Sequence, residues 1–133
     1  MPIKVKAAVI CDDVRIEDSG KRILIGVYVG ELIFDSFPSL FAPKFWIHFV
    51  PWIKKGLMNF EMKIEIPGSA DIVTPLVLPI GEEKTTAEVT AQGEPLEIGG
   101  PGTLRVALRP VGGRWTEVIA LAVIGLTRDA RAS

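Results

Sequence analysis

Five polar residues, Asp12, Asp13, Arg15, Glu17 and Asp18, crowd into one short stretch of the chain and form its densest group of chemically capable side chains. On a strand, Asp13, Arg15 and Glu17 share one face by the period of two. Two chemistries suit such a set. An arginine beside carboxylates can clamp an anionic partner through its planar fork, and neighbouring aspartates can hold a hard cation such as calcium. The plainer reading is preferred: a surface ladder of opposite charges that fixes hairpin register and contributes little energy per pair.

The other candidates are aromatic or solitary. Trp46 and Trp52 fall in phase on one strand pattern and, with Trp115, would make a platform for a sugar or a peptide; a core or interface role is the preferred alternative. His48 lies between Trp46 and Val50 with no carboxylate or thiol near it in sequence, which suits a hydrogen-bonded structural imidazole better than a general base. Cys11 is the sole cysteine and is expected to pack as a small hydrophobe.

One cysteine and one histidine exclude an intrachain disulfide and a Cys/His zinc site. There is no glycine-rich phosphate loop, GxSxG elbow or HExxH pair. No catalytic residue, cofactor or metal site is assigned. A net charge of −1 gives no general attraction to nucleic acid or to an anionic membrane, and the longest apolar run, Val118 to Leu126, is too short for a spanning helix. The N-terminus shows no apolar leader followed by a cleavage site, so a cytoplasmic, reducing compartment is expected.

The elements that would position these residues are strands. Ile3, Val5, Ala7, Val9 and Cys11 form a first inward set, and at Asp12-Asp13 the apolar phase slips to Val14 and Ile16, as at a β-bulge. A two-residue turn at Ser19-Gly20 would set Glu17 against Arg22, Arg15 against Leu24 and Asp13 against Gly26. A three-residue turn would instead set Arg15 against Ile23, and the first register is preferred for its charge and apolar matches. Arg22 to Val29 is apolar on both faces, which fits a central strand. Glu31 to Pro43 reads as a connection, Phe45 to Trp52 as a strand, and Met58 to Ile66 as a strand with Asn59, Glu61, Lys63 and Glu65 facing solvent. Pro75 and Pro79 confine residues 72–80 to a sheet edge or an extended loop. Thr85 to Ala91 is a short strand, Gln92 to Gly102 a long loop, and strands follow at Leu104 to Arg109 and Trp115 to Leu126.

About eight short strands without a helical period predict an all-β domain over residues 1–126, an antiparallel β-sandwich with a partly open barrel as the alternative. Residues 127–133 read as a polar tail.

The run Cys11-Asp12-Asp13-Val14-Arg15, then Gly20-Lys21, Ile25-Gly26-Val27-Tyr28 and Phe37-Pro38, resembles the N-terminal signature of a family of small bacterial proteins that carry only a domain-of-unknown-function label. Asp12 departs mildly from it, since glutamate is usual there. The resemblance covers roughly residues 5–50. It implies a bacterial source and a stand-alone β domain, and it brings no activity and no catalytic residues.

The function expected from these readings is a non-catalytic module that associates with itself or with another protein. The apolar excess at Arg22–Val29 and Val118–Leu126 would be hidden in that contact. A small-ligand domain using Trp46 and Trp52 or the loop Gln92–Gly102 is the alternative, followed by a calcium-dependent module at Asp12 and Asp13.

Overall fold

The computed structural model describes residues 3–82 and 85–126, so the expected polar tail lies outside the described residues. Eleven strands follow in order: β1 (Val5–Ile16), β2 (Arg22–Val27), β3 (Glu31–Phe34), β4 (Ser39–Phe41), β5 (Lys44–Phe49), β6 (Gly56–Glu65), β7 (Ile72–Ile80), β8 (Ala87–Ala91), β9 (Leu96–Ile98), β10 (Gly102–Pro110) and β11 (Thr116–Gly125). They form a four-stranded sheet, β2-β1-β5-β8, a five-stranded sheet, β3-β11-β10-β6-β7, and a two-stranded ribbon, β4-β9. Neither large sheet closes on itself, and the architecture is an all-β sandwich. Every pairing is antiparallel except β3 with β11, which is parallel.

Alternation explains the core. On β6, Met58, Phe60, Met62 and Ile64 are buried while Glu61, Lys63 and Glu65 face outward. They meet Leu104, Val106 and Leu108 of β10 and, across the sandwich, Ile10, Phe45, Ile47 and Phe49 of the first sheet. The outer face of the five-stranded sheet is solvated and charged: Arg109 donates to Glu61 at 2.8 Å, Arg105 reaches Glu117 at 3.3 Å, and Lys63 and Arg109 flank the Trp115 ring.

The strand count exceeds the expected eight by three: β3 lies in the segment expected to be a connection and pairs with β11, and β4 and β9, also expected to be loops, pair with each other. Phe41 lies opposite Leu96 and Ser39 opposite Ile98, and the buried side chains of Phe41, Leu96 and Ile98 hold the ribbon to the core. Strands of three residues are too short to carry a readable period, so their stability comes from this packing.

The N-terminal hairpin differs from the preferred register. Asp13 pairs with Ile25, Val14 with Leu24, Arg15 with Ile23 and Ile16 with Arg22, which is the register of a three-residue turn. The reason is Gly20. Its φ of 87° places it in the left-handed region, its N–H donates to Glu17 O at 2.8 Å, and the Glu17 N–H donates to Lys21 O at 2.9 Å. That is a tight turn closed by a left-handed glycine, and it outweighs the better charge matching of the shorter loop.

Two further expectations for β1 and β2 are corrected. The bulge lies between Val5 and Ala7 in the pairing with β5, not at Asp12-Asp13. It turns Ala8 and Ile10 inward and leaves Ala7 and Val9 on the outer face. Strand β2 is an edge and not a central strand, so its two-sided apolar character is left partly exposed.

Candidate functional site

The first sheet sends Phe45, Ile47 and Phe49 into the core, so the alternate residues of β5, Lys44, Trp46 and His48, stand on its outer face. Glu88 of β8 lies opposite His48, and His48 lies opposite Ala7 of β1. Arg22 of β2 lies opposite Ile16, nine residues farther along β1. On a straight strand that offset is about 30 Å. Yet the Arg22 Nε donates to Glu88 Oε1 at 2.6 Å, and its Nη2 also contacts that oxygen. The hairpin therefore curls back over the outer face of β5 and β8.

Gly26 marks the curl. Its φ of 68° is left-handed, and a Cβ there would come within 2.8 Å of the Asp12 Cγ. Asp12 lies over this bare backbone and accepts a hydrogen bond of 2.6 Å from the Tyr28 hydroxyl. That hydrogen bond, with partial burial and the carboxylate charge, pushes the phenol up to about 12.

Two carboxylates organise the covered face. Glu88 accepts from Arg22 and, at 2.7 Å, from Trp46 Nε1. Burial alone would raise its pKa, but these donors outweigh burial and hold it below the usual carboxylate range. Arg22 is itself fixed by donating from Nη1 to Gly20 O at 2.6 Å. Asp13 accepts from Lys44 Nζ at 2.5 Å, from its neighbour's backbone at Val14 N at 2.9 Å, and from Arg15 Nε at 3.1 Å. Lys44 first, then Arg15, bring its pKa down to about 2. Beside it, Cys11 is fully buried and its thiol donates to Asp13 O at 3.4 Å; burial pushes the thiol up, which suits an inert side chain.

The groove left beside the curled hairpin has a volume of about 590 Å³ and is lined by Arg22, Trp46, His48, Pro79, Thr86 and Glu88. The Trp46 and His48 rings lie 5.8 Å apart within it. Its carboxylate is held ionised by fixed donors, so the arrangement can present charge and aromatic surface.

The sequence-derived candidates are divided by this geometry. Asp12 and Asp13 turn to opposite faces and each is engaged by donors of the chain, so they build no joint calcium cage. Among the described residues, no group of three or more potential ligands converges on a metal position. Arg15 stays with Asp13 but is 69% exposed. Glu17 faces Lys21 in the turn and accepts from Ser19 Oγ at 3.3 Å, leaving Arg22 to Glu88. Trp46 and Trp52 do not share a face. Strand β5 ends at Phe49, Pro51 follows, and Trp52 swings inward to stack on Phe49 at 5.9 Å and meet Phe60 edge-on at 5.8 Å.

Lys44, Arg22, Glu88 and Tyr28 are the participants that sequence reasoning missed. Lys44 could have been found from its phase with Trp46 on β5. The others depend on which strands neighbour one another, and no local pattern encodes that.

The chain matches no protein-family model and no curated protein. The chemistry of the site is therefore read from its own geometry.

Proposed function

We propose that this is a non-catalytic module that associates with a second copy of itself through β2. The observation that carries the reading is the row Ile23, Ile25 and Val27, each about 40% exposed, on one face of a strand with a free edge. A polar edge would suit solvent; an apolar one is stabilised by pairing or cover. Isologous pairing of β2 with its symmetry mate, over Arg22–Ile25 before the backbone turns at Gly26, would continue the four-stranded sheet across a two-fold axis. The ion pairs at Asp13 and Glu88 support this reading, since they hold the curled hairpin in one shape before any partner arrives.

Sedimentation velocity at about 1–100 µM tests it. The wild-type chain is expected to form a dimer with a Tm that rises with concentration. Ile25→Lys, an exposed substitution, is expected to yield a monomer with unchanged far-ultraviolet circular dichroism and a Tm independent of concentration. A wild-type monomer across that range, or a dimer indifferent to Ile25→Lys, refutes the assignment.

A further inference from the structure

The sandwich is open along one side, where β7 of one sheet and β8 of the other are both edges. Pro75 and Pro79 are four residues apart on β7, so their ring nitrogens point the same way. Because β7 keeps its ladder to β6 from Gly56–Ile80 through Ile64–Ile72, that way is outward. The outer edge of β7 thus lacks two donors and cannot zip onto β8. A seam remains.

Near the β8–β9 loop the seam widens into a cleft of about 490 Å³, within the roughly 300–1,000 Å³ of small-molecule sites. Its floor is core: Phe45, Met62, Ile64 and Leu96 all line it and all are at most 5% exposed. Ile72 and Leu76 of β7 form one wall. Thr74 stands between them on the same face; the rim carries Thr90, Gln92 and Glu94, and none of the lining residues is a lysine or arginine.

We infer that this cleft binds a single-chain amphiphile, with its apolar chain between β7 and β8 and an uncharged or cationic head beside Glu94. The floor selects the chain, because a sugar placed there would surrender its water without finding hydrogen-bond partners. The rim selects the head: a carboxylate would meet the like charge of Glu94, whereas an amine would be attracted and a hydroxyl would find Thr90 and Gln92. From Ile72 to Leu76 the wall runs about 13 Å, which matches a chain of roughly ten carbons. Although Arg22 brings β2 onto Glu88 of β8, no residue of β2 lines the cleft, so the two sites share no side chain.

The test is displacement of the neutral fluorescent probe N-phenyl-1-naphthylamine from the full chain at neutral pH by decylamine, decanol or decanoate. Saturable one-to-one binding is expected, with decylamine and decanol displacing the probe at least about ten-fold more effectively than decanoate. Thr74→Trp should fill the cleft and weaken probe binding about ten-fold or more, Glu94→Lys should invert the order of amine and carboxylate, and Ile25→Lys should change nothing. Absence of saturable binding overturns the proposal, as does binding that survives Thr74→Trp. Should Thr74→Trp disturb folding, the exposed Glu94→Lys decides alone: an unchanged preference for the amine overturns the assignment.

Discussion

Replacing Gly26 with alanine tests how the hairpin is made to curl. Two costs are expected. The left-handed backbone at φ 68° disfavours a Cβ by about 1–2 kcal/mol. The new methyl also displaces the Asp12 carboxylate and with it the 2.6 Å hydrogen bond from Tyr28, which at this exposed position is worth about 1 kcal/mol. Gly26→Ala should therefore destabilise by about 2–3 kcal/mol, lowering Tm by about 7–11 °C in a domain of this size. Asp12→Ala alone should cost about 1 kcal/mol. The double variant should cost no more than Gly26→Ala, because the carboxylate that obstructs the methyl and the hydrogen bond it would break are already gone. Urea denaturation followed by tryptophan fluorescence gives all three values. A Gly26→Ala cost below about 0.5 kcal/mol would refute the argument, and so would strict additivity, since independent sites add to within about that margin.

Tyr28 is the only tyrosine, so its ionisation can be followed by ultraviolet absorbance without ambiguity. Its midpoint should lie near 12 and fall toward 10 in Asp12→Ala. The folded phenol holds its proton more tightly than the unfolded one, so this contribution to stability is complete below pH 10 and is lost as the pH rises toward 12. Asp13 behaves oppositely: its contribution is complete above about pH 4 and is lost as the pH falls toward 2. Lys44→Ala should flatten that acid limb and lower Tm by a few degrees, whereas Arg15→Ala, largely exposed, should shift Tm far less; equal effects would contradict the geometry. Cys11 should resist an aromatic disulfide reagent in the folded protein and react at once in denaturant, and rapid labelling of the native chain would mean that its cover opens.

Much of the sandwich is legible wherever one face of a strand is wet. Met58 to Ile66 alternates so regularly that its inside and outside follow directly, and Pro75 with Pro79 announce an edge. Strand β2 misleads for a physical reason: apolar residues on both faces can mean burial between neighbours or an edge with unmet surface, and composition does not separate the two. The hairpin register turned on the backbone angle of Gly20, a conformational preference that competes with visible side-chain matches. At the site, the acidic cluster was readable as a group, but its division was not. Asp12 goes to Tyr28 and Asp13 to Lys44 because adjacent strand residues point apart, while the joining of Arg22 to Glu88 depends on a curl spanning 66 positions of sequence.

The parallel pairing of β3 has a consequence for biosynthesis. Among the described residues its ladder partner is β11, so apart from the local bond from the Glu31 N–H to Val29 O, Glu31–Phe34 has no ladder until residues 116–125 have been made. At roughly 5–20 residues per second, some eighty intervening residues leave that segment unpaired for about 4–16 s. Its side chain Leu32, almost completely buried in the finished fold, has no settled place during that interval. Nor can the five-stranded sheet grow outward from its first-made strand: β6, β7 and β10 can assemble as they emerge, but β3 must wait at the far side for β11 to arrive beside β10 and take it up. A ribosome that stops short of Thr116 releases a chain with an unpartnered strand, open to whatever other chain reaches it first.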